Sequence, residues 1–298
     1  MKSQNVPTFA FGSVGILTPD VPTESSGVGA SGRNLKLEIE YDGTNYCGWQ
    51  VQNCRTSHVA GSTAKSIQEI IERAIQKILR EKVRLISSGR TDAGVHAFAQ
   101  VANFKTNSEI DTDKLQRALN GLLPDDIKVS KIEEADPSFH SRFSAKSKVY
   151  RYSILNRAYP SALLKNRVYF YPYPLDIKLM RRETRCLLGK HDFKSFCASG
   201  GSTKDTVRTI KRISIKKLAY GLQLKAYSLK DASLVAIDIE ADGFLYNMVR
   251  NIVGTLIEIG RGRFARGSLK KILQSKNRKF AGPTVPAYGL CLLEVKYK

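Results

Sequence analysis

Residues Ser88-Gly89-Arg90-Thr91-Asp92-Ala93-Gly94-Val95-His96-Ala97 crowd a guanidinium, a hydroxyl, a carboxylate and an imidazole between Arg90 and His96. The glycines at 89 and 94 permit a tight turn from which the intervening side chains project. A carboxylate presented in this way can serve as a nucleophile or as a general base. Taken alone, a loop Asp beside an Arg is more often a turn former or a surface ion pair. His96 suits a satisfied structural position as well as a contact to a ligand, so it is kept out of the catalytic set.

Such a loop needs strands on either side, and strand patterns at 83–87 and 97–104 flank it. Upstream, Leu35, Leu37, Ile39 and Tyr41 alternate with Lys36, Glu38 and Glu40, which predicts a strand with one buried face. Ile67, Ile70, Ile71, Ala74, Ile75, Ile78 and Leu79 fall on one helical stripe that should lie on the sheet. Further strands are predicted at 127–133, 148–155, 207–217, 232–240 and 289–296, and helices at 112–121, 177–188, 244–259 and 268–274. Strand, helix, strand and strand recur in both halves. This order predicts an α+β fold of two related domains, 34–142 and 143–298, with Pro and Ser interrupting the pattern near their boundary. Residues 1–33, which contain Pro7, Pro19, Pro22 and a Ser/Gly-rich stretch, read as a flexible leader.

Lys and Arg number 48 against 27 Asp and Glu, a net charge of +21. Lys2 and Arg33 balance Asp20 and Glu24, so the whole excess falls after the leader. A polyanionic partner, nucleic acid first, accounts for that excess. Between positions 261 and 279 the chain carries eight basic residues and no acidic one, Arg261, Arg263, Lys270 and Lys271 among them. This run can track phosphates or simply form a solvated helix face. Lys146, Lys148, Arg208, Lys211 and Arg212 make a second, weaker patch. The cysteines at 47, 54, 186, 197 and 291 form no CxxC pair and match no zinc spacing, which predicts reduced thiols, no metal and a cytoplasmic location. No apolar run approaches the about 20 residues that span a bilayer, so no membrane association is expected.

The string from Gly89 to Ala97 resembles the characteristic segment of the TruA family of tRNA pseudouridine synthases. Tyr41-Asp42-Gly43-Thr44-Asn45-Tyr46-Cys47-Gly48-Trp49-Gln50 is similar to the family's opening segment. Phe143-Ser144-Ala145 with Tyr150-Arg151-Tyr152, His191-Asp192-Phe193 with Ser195-Phe196, and Phe244-Leu245 with Met248 to Gly254 follow in the family's order. The chain departs from the pattern in a longer link at 53–65, and in Tyr246-Asn247 where many relatives carry a His pair. No catalytic role is assigned to that pair.

The resemblance implies the pseudouridine synthase fold, with mainly antiparallel sheets flanked by helices, and a homodimer with tRNA as partner. It implies uridine isomerisation in the anticodon stem-loop, at about positions 38 to 40, with Asp92 as catalytic residue. The reaction breaks the bond from ribose C1′ to uracil N1 and rejoins through C5, so neither redox change nor metal is required and no cofactor is expected. The uridine must be flipped out, at an unstacking cost of a few kcal/mol, and held against a ring. The resemblance gives that ring as Tyr150, although a strand Tyr is by itself more often core. It points to Arg250 as the cation that keeps Asp92 ionised and lowers its pKa. Arg90 fills the space of the flipped base or holds a phosphate, unless it is spent on a salt bridge within its loop. The rival readings are a nonenzymatic RNA-binding or RNA-chaperone protein on this fold and a zinc deaminase, whose ligand signature is absent.

Overall fold

The structure, a computed structural model, describes residues 32–50, 65–200, 203, 205–219 and 233–298. The expected leader, up to position 31, and nearly all of the 53–65 link lie outside the described residues.

Along the chain run β1 (Arg33–Tyr41), α1 (Ile67–Leu79), β2 (Ile86–Ser87), β3 (His96–Thr106), α2 (Thr112–Leu122), β4 (Ile127–Ala135) and β5 (Ser147–Asn156). They are followed by β6 (Tyr169–Phe170), α3 (Ile177–Glu183), β7 (Gly189–Asp192), β8 (Val207–Ala219), β9 (Ser233–Ala241), α4 (Met248–Gly260), α5 (Ser268–Ser275) and β10 (Leu290–Lys296). Arg33, assigned to the leader above, opens β1 and donates to the carbonyls of Ser108 and Ile110 at 3.0 and 2.9 Å.

The period-two pattern of β1 is realised, with Leu35, Leu37, Ile39 and Tyr41 buried. The α1 stripe buries Ile67, Ile71, Ala74 and Ile75, and the Ser66 side chain caps it by accepting from Glu69 N–H at 3.2 Å. The strands join in one sheet of order β4-β1-β3-β10-β5-β9-β8-β7, antiparallel except where β10 meets β3 and β6 meets β5. Pairing runs from Ala97 through Leu292 to Tyr150. The last strand of the chain therefore sits between the strand that follows the 88–95 loop and the strand that carries Tyr150. Residues Gly32–Lys298 form one compact unit. In its core α1 packs on α2 and α2 on β4, while α4 packs on α3, α5 and β5.

Where element boundaries differ from the sequence reading, side chains explain the difference. The strand predicted at 83–87 is reduced to β2, because Leu85 gives its N–H to Glu72 Oε1 at 2.8 Å and its carbonyl to Gln68 at 3.2 Å. The helix predicted at 177–188 ends at Glu183 and tightens into a 3-10 turn. There the Thr184 hydroxyl donates to Arg181 O at 2.8 Å. The helix predicted from 244 begins at Met248, because Asn247 takes a left-handed conformation with φ 58°. The pairings of β6 and β7 are too short to leave a period in the sequence. The expectation of reduced thiols fails for Cys47, which is disulfide-bonded. Cys186, Cys197 and Cys291 are free, and Cys54 lies outside the described residues.

Candidate active site

The loop from Ser88 to Val95 leaves β2 and re-enters the sheet at β3. Ser88 is fully buried, with its N–H bonded to Val101 O at 2.7 Å and its hydroxyl to Gln100 Oε1 at 2.7 Å. Further on, Thr91 gives its carbonyl to Trp49 N–H at 3.1 Å and pairs its hydroxyl with Tyr41 Oη at 2.8 Å. The opening motif thus lies directly against the loop. At Gly48, with φ +95°, a Cβ would stand 2.5 Å from the Thr91 carbonyl oxygen, so only glycine lets the two segments meet. The turn closes with Val95 N–H donating to Asp92 O at 3.1 Å and with Gly94 at φ +78°.

Asp92 and Arg250, 158 positions apart in the chain, form an ion pair with Nη1 3.3 Å from Oδ2. Their side chains keep 30% and 17% of their surface exposed, enough for a substrate to reach the carboxylate. Arg250 is itself held: Nε donates to Val285 O at 2.8 Å and Nη1 to Asn247 Oδ1 at 2.7 Å. Every other residue of α4 is buried, so the helix is a rigid mount with one polar side chain turned towards the loop. The expectation that Arg250 leaves Asp92 with a lowered pKa is corrected. Burial raises the Asp92 pKa, and Arg250 offsets that rise only in part.

Tyr150 is 7% exposed on β5, its ring edge-on to Phe244 at 5.0 Å between centroids. Burial raises its phenol pKa, with the Tyr41 and Asp92 charges adding to the effect. Asp92, Arg250 and Tyr150 are therefore brought together from a loop, a helix start and a strand. Arg90 is exposed and enters no salt bridge among the described residues, so its guanidinium is available to a ligand. His96 is spent on the fold. Its Nδ1 lies 3.1 Å from Gly43 N and 3.0 Å from Asp42 Oδ1, and its Nε2 lies 2.8 and 3.1 Å from the carbonyls of Asn166 and Tyr288.

The basic run of the C-terminal part is not uniform. Arg261 and Arg263 each lie 3.4 Å from Glu258, whereas Lys270 and Lys271 on α5 are exposed and enter no ion pair among the described residues. Arg278, half-buried, bonds Asn251 and Thr284 at 3.0 Å each. Among the described residues no cluster of three or more His, Cys, Asp or Glu is placed to hold a metal ion, and no helix is long and apolar enough to cross a membrane.

Two participants escaped the sequence reading. Asn247, given no role there, is the side chain that orients Arg250. Lys148, read only as part of a weak basic patch, donates from Nζ to the Ser88 carbonyl. The signal for Lys148 was its place two residues before Tyr150, on the same face of a strand.

A family profile described as tRNA pseudouridine synthase matches residues 38–144 and 184–298. The tRNA pseudouridine synthase A of Acetivibrio thermocellus is 48% identical over 265 residues, 89% of this chain and 100% of that protein. The tRNA pseudouridine synthase A 2 of Clostridium perfringens is 46% identical, and the tRNA pseudouridine synthase A of Thermoanaerobacter sp. 44%, each over 89% of this chain and 100% of its own length. With the loop, its arginine and its strand tyrosine assembled and these likenesses spanning almost the whole described chain, the protein belongs to the TruA family of tRNA pseudouridine synthases.

Proposed function

We propose that this protein isomerises uridine to pseudouridine in the anticodon stem-loop of tRNA, at about positions 38 to 40, with Asp92 as the catalytic carboxylate. The observation that carries the reading is the 3.3 Å pair between Asp92 and Arg250 in a half-buried site. The names of the relatives support the reaction and the substrate class. In the reaction the C1′–N1 bond breaks, the C1′–C5 bond forms, N1 gains a proton and C5 gives one up. Whether Asp92 attacks as nucleophile or acts as base, it must be ionised, and Arg250 is the group that favours that state.

Tyr150, fixed edge-on by Phe244, supplies a ring beside Asp92 against which a flipped uracil seats. Arg90, exposed and unpaired with any acid among the described residues, fills the vacated stack or grips a phosphate. Lys270 and Lys271 are the better candidates for the RNA backbone, with Arg261 and Arg263 partly committed to Glu258. The same reading includes a two-domain subunit of residues 34–142 and 143–298 that forms the RNA cleft, a homodimer, and action in the cytoplasm without a cofactor.

The test incubates wild-type protein and Asp92→Ala with unmodified tRNA transcripts, without metal or nucleotide, and maps pseudouridine by base-specific adduct and primer extension. Product near the anticodon from wild type and none from the variant is the expected result. Tight binding by both proteins with no product from any transcript would instead identify a nonenzymatic RNA-binding protein.

A further inference from the structure

Lys148 stands on β5 but reaches out of the second half of the chain into the first. Its Nζ donates to the carbonyl of Ser88, the residue at which the catalytic loop leaves the sheet. The same amine occupies the room beside Gly89. A Cβ built on Gly89 would stand 2.8 Å from Lys148 Nζ and 3.7 Å from Cε, with no other group outside its neighbours within 4 Å. Gly89 has no positive φ, so the one close contact a side chain there would meet is this amine, which would have to swing off the Ser88 carbonyl to make room. The opposite side of the loop root is already held, because Gly89 O accepts from Gln100 Nε2 at 2.9 Å. Arg250 thus grips the carboxylate, and Lys148 grips the backbone that carries it.

Lys148 is not a solvated surface charge. It is half-buried, burial pushes its ammonium down to about 8 with the Arg142 charge adding to the effect, and it enters no ion pair among the described residues. Such a cation is costly to hold unless its hydrogen bond has a use.

We propose that Lys148 is a positioning residue for the reaction: seated against Gly89 and bonded to Ser88 O, it fixes the root of the loop so that Asp92 stands in register with Arg250 and Tyr150. The proposal rests on Asp92 being the catalytic carboxylate. An error of about 1 Å in placing a reacting group can cost about a hundredfold in rate.

The test measures single-turnover conversion of saturating tRNA, and separately tRNA affinity at several salt concentrations, for wild type, Lys148→Ala, Lys148→Arg, Gly89→Ala and the Lys148→Ala/Gly89→Ala double variant. Lys148→Ala should slow conversion of bound tRNA by between about tenfold and about a hundredfold, with affinity and its salt dependence unchanged. Lys148→Arg, which keeps a donor at that reach, should restore most of the rate. Gly89→Ala should slow the wild-type background but cost nothing further once Lys148 is Ala, since its close neighbour is then gone.

Weakened binding with a flatter salt dependence and an intact bound-state rate would overturn the proposal in favour of a phosphate contact. Equal costs of Gly89→Ala in both backgrounds would overturn the seat. Should Lys148→Ala not fold, the split between rate and affinity in Gly89→Ala and Lys148→Arg decides in its place. If wild type makes no pseudouridine, the reaction reading has failed. Amide hydrogen exchange at 91–93 then decides the loop question: faster exchange in Lys148→Ala supports the tie, and equal exchange overturns it.

Discussion

Asp92 stands between opposed forces, burial favouring its protonated form and Arg250 its carboxylate, and burial is the stronger. The carboxyl therefore ionises at higher pH than an ordinary aspartate, whose pKa is about 3.9. The rate of tRNA-bound conversion should fall on the acid side through a limb displaced above that value. Replacing Arg250 with Met removes the charge that opposes burial, so the limb should move further up in pH. Activity on the acid side should drop and return as the pH is raised. A pH–rate profile of both proteins checks this, and an unmoved limb in Arg250→Met would mean that Arg250 does not set the charge of Asp92. Tyr150→Phe should keep much of the rate and Tyr150→Ala lose it, if the ring rather than the hydroxyl serves the base.

The element that mounts Arg250 depends on how α4 begins. Asn247 adopts φ 58°, a conformation that Asn tolerates better than most residues, and its side chain accepts from Arg250. Asn247→Ala should lose both services and destabilise the protein by about 1–2 kcal/mol in urea unfolding. Asn247→Gly restores the backbone freedom without the acceptor, so it should recover stability while leaving Arg250 less constrained. Equal stability of the Ala and Gly variants would show that the left-handed start carries no strain. The sequence reading carried the helix through to 244 because Phe244 and Leu245 continue an apolar pattern. It could not see that one residue reverses the backbone and moves the start to Met248.

Across the whole molecule the charge is unevenly free. Arg261 and Arg263 share Glu258, while Lys270 and Lys271 have no acidic partner among the described residues. If tRNA phosphates meet this face, Lys270→Ala with Lys271→Ala should lower the slope of log affinity against log salt by about 1 per lost contact. Arg261→Ala with Arg263→Ala should change it less. Fluorescence anisotropy with a tRNA transcript over a salt series measures both, and identical slopes for the two double variants would remove the distinction.

Local periodicity and the string around Asp92 were enough to read most strands, the helices α1, α2 and α5, the loop and the family. These properties are written within a few neighbouring residues, because alternation and helical spacing are short-range geometry. The tertiary structure alone decided that β10 enters the middle of the sheet, between β3 and β5, since pairing between distant strands leaves no local pattern. It alone decided that Lys148 reaches the root of the loop and that Asn247 holds Arg250. It also reversed the expected direction of the Asp92 pKa, because a charge balance depends on how much water the packed site excludes, and burial exists only once the chain has folded.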